Sequence, residues 1–559
     1  MCAGDELPAS LAASVRELLA VGGVELALLV VDGEKPAASP FREKAARALR
    51  SGHLLWSAYS VFLPQERLTA CRPVDMTREF AGVPRVECTV VRKGRFSEYF
   101  ADEDVARIRE FKLDFILRFA FGIVRGEILN AATHGVWSFH HGDESKFRGV
   151  PPGFWEMYFG EPVTGAILQR LNDRLDGGVV LQRCFVDTHE ISYRTQLDGL
   201  LWATTYMPAK VCRDLKNGCA SYLHDAPSRT TAPVLRVPND FATTKFFLRS
   251  AGRWGKTQLE SVFMAPGWNV GVVAAPMHAF LRPDFRPEIR WLPNGQTDHF
   301  LADPFVVSLN GHATLIAEDF DARKDRASLV QLDVDERGAL IGAPKTAIDE
   351  GVHMSYPCVF AYRGKTYCTP ECSEKRGVFL YVFDDARNEW TPAAQLIENF
   401  AAVDPTVFEH DGRWWLFCTN NDDFVNAKLH LWHAPDPFGP WEPHASNPVK
   451  FDVRSSRPAG RPFTYEGALY RPAQDCSRGY GGAITINRIV RLDARQFEEE
   501  PAAVVRPRGD SAYGKGLHTI SSLEGSSLTV IDGNRLVLAP GFAWRRITEK
   551  VRRITSTAR

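Results

Sequence analysis

The stretch from Gly135 to Val180, GVWSFHHGDESKFRGVPPGFWEMYFGEPVTGAILQRLNDRLDGGVV, decides how the N-terminal half is read. Its opening segment, Val136 to Phe139, is short, apolar and β-prone, and it stops at the adjacent His140 and His141. A polar, Gly-bearing loop leads to Arg148-Gly149, and Pro151-Pro152 then enters an aromatic segment with helical character. A second strand starts after Thr164-Gly165, and Asp176-Gly177-Gly178 forms a tight turn behind it. In open α/β sheets, ligands sit where strands end and loops begin. A histidine at a strand end, with a carboxylate on a later turn, suits paired acid–base chemistry.

Outward from this stretch, strands and helices alternate. Leu11 to Leu19 carries a helical apolar period, and Val24 to Val31 is strand-like. Arg42 to Tyr59 reads as a basic amphipathic helix and Val86 to Val91 as a strand. Asp102 to Phe111 starts acidic and ends basic, which suits a helix dipole. Leu113 to Phe119 reads as a buried strand, and Thr195 to Leu215 as a closing helix. The alternation predicts a mostly parallel, Rossmann-like α/β sheet. Such a fold normally begins with a strand, whereas this chain begins on a helix. The first strand is therefore expected to be missing or to lie upstream of Met1. There is no GxGxxG, so no dinucleotide cofactor is indicated.

The segment Asp114 to Val180 resembles the 10-formyltetrahydrofolate-dependent formyltransferases, the group that includes methionyl-tRNA, glycinamide-ribotide and amino-sugar formyltransferases. The matching pieces are Phe121-Gly122, Ile128-Leu129, Ser138-Phe139-His140, Arg148-Gly149, Thr164-Gly165 and Leu175-Asp176-Gly177-Gly178. The resemblance implies transfer of a formyl group from 10-formyltetrahydrofolate to an amine of a sugar-related or other small metabolite. It places cofactor contacts at Phe121, Gly122, Ile123, Arg148 and Gly149. It also implies that His140 donates to the developing oxyanion while Asp176 holds the imidazole and assists proton removal. Ser138 stands where the family carries an asparagine, the second oxyanion donor. Losing one such donor costs about 10²–10³ in rate. A serine hydroxyl donates over a shorter reach, and His141 or Asp143 are candidates to share the role.

From Trp268 onward the chain turns to short strands and a repeat. The segments DPFVVSLNGHATLIAE, YPCVFAYRGKTYCTPE, DPTVFEHDGRWWLFCT, AGRPFTYEGALYRPAQ and LHTISSLEGSSLTVID each place a glycine between two strands. These glycines, Gly311, Gly364, Gly412, Gly467 and Gly525, fall 53, 48, 55 and 58 residues apart. That period predicts an all-β five-bladed β-propeller. The residue eight before each glycine and the one seven after it meet at one end of an antiparallel hairpin. Radial symmetry then gathers Asp303, Glu318, Tyr356, Glu371, Asp404, Gln474 and Asp532 at one mouth of the channel. Like charges so placed raise each other's pKa.

This half resembles the five-bladed propellers of arabinanase- and xylosidase-type glycoside hydrolases, and more closely the N-terminal propeller of plant glucosamine inositolphosphorylceramide transferases. The residues that carry this are Ala302-Asp303-Pro304-Phe305, His353-Met354-Ser355-Tyr356-Pro357, Pro370-Glu371, Asp404-Pro405-Thr406 and Arg471-Pro472-Ala473-Gln474-Asp475. The resemblance implies carbohydrate at the propeller. With Tyr356 opening the second blade, the hydrolase triad is not intact. Asp303 as base, with Glu371 or Asp404 as partner, is the expected acid–base set. The alternative to formyl transfer is a carbohydrate-active propeller carrying a catalytically weakened formyltransferase-like domain. A non-catalytic carbohydrate-binding protein is the third reading.

The 559 residues are too many for one core. The expected layout is a formyltransferase-like domain over 1–216, a linker and interdomain helix over 217–263, and the propeller over 264–559. A formal net charge of −1 gives no electrostatic case for nucleic acid or an anionic membrane. No apolar run is long enough to span a bilayer. The start, MCAGDELPASLA, lacks the pattern of a secretory signal. Eleven cysteines without a CxxC pair point to reduced thiols in a cytoplasm. Cys368 and Cys372 are the closest pair, and without two further ligands no metal site is expected.

Overall fold

The structure is a computed structural model that describes residues 1–2, 4–33, 52–62, 68–94, 96–293, 299–335, 338–523 and 525–538. The chain divides into two compact units, Met1–Trp254 and Gly255–Arg559. The stretch expected to be a linker is not one. Residues 217–254 fall in the first unit, where Val234–Leu235 pairs in parallel with Arg148–Gly149. Gly149 makes that pairing possible, because a Cβ there would lie 1.9 Å from the Leu235 carbonyl oxygen. The helix Asp240–Phe263 matches the expected helical segment and crosses the boundary between the units.

The first unit is α/β. Leu29–Asp32 runs parallel to Arg85–Cys88, and Ile116–Arg118 parallel to Val136–His140. Between these pairs lie Met1 and Cys2. The Met1 amino group donates to the Leu117 carbonyl at 2.9 Å, and the Cys2 N–H to that of Val30 at 3.1 Å. Residues 1–2 thus sit where a first strand would. The far side departs from the expected parallel sheet, since Val163–Arg170 is antiparallel to both Val136–His140 and Val179–Asp187. The last pair is joined by the short loop around Asp176, and a parallel connection needs a crossover of a dozen or more residues. The core packs Val30, Val86, Ile116 and Val136 against Val105 and Ile108 of the helix Asp102–Glu110. The expected helix over 42–59 is described only from residue 52 and appears as Leu54–Phe62; its first part lies outside the described residues. The expected closing helix is two, Tyr193–Ala203 and Met207–Lys216.

Among the described residues the second unit contains five antiparallel sheets, the blades of a propeller. Four follow the chain: His299–Leu309 to Leu340–Ile348, Ser355–Tyr362 to Glu389–Glu398, Ala402–His410 to Glu442–Pro443, and Phe463–Tyr465 to Phe497–Val505. The fifth joins both ends of the unit. Ile520–Ser522 and Thr529–Leu538 pair with Met264–Val273, which pairs in turn with Arg290–Trp291. Five apolar clusters fill the five spaces between neighbouring blades, and these close the ring. One example sets Val270 and Val530 of the last blade against Val306 and Leu315 of the first.

The hairpin glycines explain the repeat. Asn310-Gly311, Arg363-Gly364, Asp411-Gly412 and Glu466-Gly467 all hold both residues at positive φ, between 47° and 80°. Two successive positive φ values are the signature of the type I′ turn, whose twist matches the strands it joins. A Cβ at Gly412 would meet nothing within 4 Å, so only the backbone resists substitution there. Gly412→Ala is therefore expected to cost about 1–2 kcal/mol, read as a lower midpoint of thermal unfolding. An unchanged midpoint would mean the turn can change type at no cost.

Candidate functional site

In the first unit, His140 closes the strand Val136–His140 while Asp176 sits at φ 52° in the turn before Val179–Asp187. His140 Nδ1 lies 3.5 Å from Asp176 Oδ1. Arg148 Nε donates to the other carboxylate oxygen at 3.3 Å, and its Nη2 donates to the Leu175 carbonyl at 2.8 Å. Asp176 is thus fixed between an imidazole and a guanidinium. His140 Nε2 is buried and finds no hydrogen-bond partner among the described residues.

The other residues expected here behave differently. Ser138 Oγ accepts from Arg118 Nε at 3.0 Å and Nη2 at 2.8 Å, and donates to the Phe139 carbonyl at 3.3 Å. The hydroxyl is engaged rather than poised as an oxyanion donor. Arg118 also donates to the Phe121 and Gly122 carbonyls, so it fixes the segment in which cofactor contacts were expected. Burial lowers the Arg118 pKa. Phe121 packs its ring against Phe100 at 5.3 Å, Gly122 N donates to Glu98 at 2.6 Å, and Ile123 begins the strand Ile123–Arg125. His141 turns to Thr204, with Nε2 3.3 Å from Oγ1, and burial and then His140 push its pKa down to about 4. It is a neutral interior histidine, not a second acid–base group beside His140. Asp143 Oδ1 accepts from the N–H and hydroxyl of Ser145 and shapes the loop.

In the second unit, the inner strands of the first three blades share a device. Asp303, Tyr356 and Asp404 sit at φ 48°, 46° and 51°, each inside a β-bulge. Bulges of this kind re-aim side chains. A cavity of about 230 Å³ opens there, lined by Trp268, Phe300, Asp303, Glu318, Phe320, His353, Glu371, Arg457, Tyr480 and His518, with Ala302 and Ser355. Of the residues expected at the mouth, Asp303, Glu318 and Glu371 line it.

Asp404, Gln474, Tyr356 and Asp532 are buried off the cavity and support it. Asp404 accepts from Arg457 Nε at 2.6 Å and Gln474 Nε2 at 2.8 Å, and its own N–H donates to Glu371 Oε2 at 3.2 Å. The Tyr356 hydroxyl lies 2.9 Å from Thr406 Oγ1 and accepts from the Gly460 N–H at 2.6 Å, which ties three blades together. Asp532 accepts from the N–H groups of His518 at 2.8 Å, Thr519 at 3.1 Å and Asp303 at 3.3 Å, and pairs with His518 Nδ1. Asp404 is therefore fully engaged, which leaves Glu371 of the two acids expected to partner Asp303.

The electrostatics separate these groups. Burial pushes the Asp303 pKa up to about 6, against the pull of His518. Burial and then Asp404 push Glu371 up to about 8. Burial, reinforced by Asp303 and Glu371, holds Glu318 well above the usual carboxylate range. Burial alone would lower His518, but Asp532 and Asp303 outweigh it and the net shift is upward. Asp303, His518 and Asp532 also bring one potential ligand atom each within 4.8 Å of one another. Hydrogen bonds already engage all three.

Arg457, His518, Trp268 and Tyr480 were not expected at this mouth. Arg457 lies in an irregular segment before the strand Phe463–Tyr465, and Trp268 on the strand that closes the ring. Neither occupies a repeat position. His518 does lie within the repeat, one residue past the aligned position.

The family described as glucosamine inositolphosphorylceramide transferase 1, N-terminal, matches residues 292–520. Glucosamine inositolphosphorylceramide transferase 1 of Oryza sativa subsp. japonica is 32% identical over 254 residues, 43% of this chain and 34% of that protein. Methionyl-tRNA formyltransferase of Desulfotalea psychrophila is 26% identical over 166 residues, 29% of this chain and 49% of that protein. A family 117 glycoside hydrolase of Zobellia galactanivorans aligns with a TM-score of 0.32 at 14% identity, covering 50% of this chain and 92% of that one. The chain spans about a third of the length of the plant transferases it matches. It is similar to them over the propeller.

Proposed function

We propose that the propeller binds a carbohydrate at its mouth and acts on a glycosidic bond with Glu371 as proton donor and Asp303 as base. The observation that carries this is the split between two carboxyls on one cavity, one held near 6 and the other near 8. Groups whose environments push their pKa values apart are acid–base assignments. At neutral pH Asp303 is ionised and Glu371 keeps its proton, as inverting glycosidic chemistry requires. Arg457, fixed by Asp404, and His518, fixed by Asp532, hold the walls. A panel of oligosaccharides and activated glycosides, assayed for released or transferred sugar, tests this. No turnover by the intact protein on any member, with no binding, would end it.

A second reading is favoured by the His140–Asp176 pair and by the unpartnered Nε2. In it the first unit transfers a formyl group from 10-formyltetrahydrofolate, used as co-substrate, to an amine. The imidazole Nε2 would donate to the oxyanion while Asp176 steadies Nδ1. Ser138 is engaged by Arg118, so one family donor is unreplaced and the rate is set about 10²–10³ lower. His140→Ala is expected to abolish amine formylation, and Asp303→Asn to leave it intact, as read by mass spectrometry of amino sugars incubated with formylfolate. Formylation that survives His140→Ala would overturn this reading.

A further inference from the structure

A second opening in the propeller, of about 620 Å³, shares no lining residue with the mouth. It follows from a mismatch between neighbouring blades. The outer strand of the fourth blade, Phe497–Val505, has nine residues, whereas that of the fifth, Arg290–Trp291, has two. Irregular chain before Arg290 and after Val505 makes up the rest of the walls. Phe280, Phe285, Ile289, Trp291, Val505 and Leu517 give the opening an apolar lining. Pro283, Pro287, Pro501 and Pro507 also line it, and their fixed φ leaves the walls little freedom to lose on binding.

Four arginines stand around this floor: Arg282, Arg286, Arg506 and Arg508. Arg508 is paired with Asp510. The other three meet no carboxylate among the described residues. Arg286 donates to the carbonyls of Pro283 and Phe285, each at 3.1 Å, and Arg282 lies 5.2 Å from the centre of the Phe285 ring. Arg506 makes no hydrogen bond or ion pair among the described residues. Asp284 and Glu288 alternate with the arginines along the chain but do not line the opening. Among its described lining residues Asp532 is the sole carboxylate, and that group is buried and paired with His518. No buried polar side chain left without a partner lies here either. Nothing at depth would therefore read a polar group on a compact ligand, whereas Arg282, Arg286 and Arg506 are all exposed at the rim. That layout suits a segment that sinks apolar side chains and leaves its carboxylates at the surface.

We propose that this opening docks an extended acidic segment of a partner protein, with apolar side chains on the floor and Asp or Glu against Arg282, Arg286 and Arg506. The chain's own residues 539–559, which follow the last strand of the fifth blade, carry six basic residues and one acid. Charge therefore argues against them as the occupant. The proposal stands apart from both the carbohydrate and the formyl readings.

The test is fluorescence polarisation of the full chain at pH 7 with a short labelled peptide of Asp and Glu interspersed with Phe and Leu. Two counterparts replace its acids by Asn and Gln or by Lys. The acidic peptide is expected to bind at least about tenfold more tightly than the neutral one, and more weakly as salt is raised. Arg282→Glu combined with Arg506→Glu should cost at least about tenfold for the acidic peptide and bring the Lys peptide into the site, with thermal unfolding showing the variant folded. Should the double variant fail to fold, Arg506→Gln serves in its place, with a loss of about threefold. Equal binding of the acidic and neutral peptides, or an affinity unchanged by these substitutions, would overturn the proposal. Displacement of the peptide by inorganic phosphate, but not by chloride at equal ionic strength, would show a site for a simple anion and overturn it too. Absence of binding by the acidic peptide would end it.

Discussion

Glu371→Gln is expected to lower glycosidic turnover at the propeller mouth by about 10²–10⁴-fold, the usual weight of a positioned general acid. Glutamine keeps the size of the side chain and its contact with the Asp404 N–H, so binding should persist while kcat falls. Asp303→Asn should lower turnover by a similar factor through loss of the base. The wild-type rate should follow a bell in pH, rising through about 6 as Asp303 ionises and falling through about 8 as Glu371 loses its proton. In Glu371→Gln the upper limb should vanish, and in Asp303→Asn the lower. Stability carries the same signature. The folded pKa of Glu371 is raised, so its contribution is full below about 4.5 and is lost as pH rises through 8. Urea unfolding of Glu371→Gln should show a shallower decline over that window. A bell that stays intact in both variants would sink the assignment.

The second large effect lies in blade four. Arg471 is 1% exposed, and its Nε and Nη2 pair with Glu499 at 2.8 and 2.6 Å. Its other donors reach the carbonyls of Ser456 at 3.3 Å and Ser455 at 2.6 Å. The guanidinium also lies 5.2 Å from the centre of the Phe417 ring. Arg471→Ala would strand a buried carboxylate, a loss of about 3–5 kcal/mol. Lys450 Nζ, 2.8 Å from Glu499, remains as partial compensation and sets the value near 3. On a unit of this size that corresponds to a fall of roughly 6–12 °C in the unfolding midpoint. The two serines sit in the loop that delivers Arg457 to the mouth, so ligand binding should weaken with it. Pairing Arg471→Met with Glu499→Leu should restore most of the midpoint but not the binding. A midpoint unmoved by Arg471→Ala would show that the network carries no net stability.

The propeller was legible because its signal is local. A type I′ turn demands glycine at one position, and four of the hairpins repeat that demand. Alternation along the hairpin then placed Asp303, Glu318 and Glu371 on one cavity. The same rule failed for Asp404 and Gln474, which point to the same end but bond to each other, Asp404 being held by Arg457 as well. Arg457 escaped because it stands in an irregular connection, where no period operates. In the first unit, the pairing of His140 with Asp176 followed from the motif and its turn. The fate of Ser138 did not, because it depends on Arg118, twenty residues upstream on the neighbouring strand. A lone arginine in the apolar run FILRFAFG was the available hint. The linker was misjudged because small and polar residues with prolines read alike whether they float free or lie, like Val234–Leu235, along a short parallel bridge.

Asp303 belongs to the first blade, whereas His518 and Asp532 belong to the blade completed by the C-terminal strands. During synthesis the early acid waits without its neighbours until more than two hundred further residues have been made. The mouth is thus assembled only when the two ends of the ring meet, and a chain clipped before Thr529 would lose ring closure and mouth in one event.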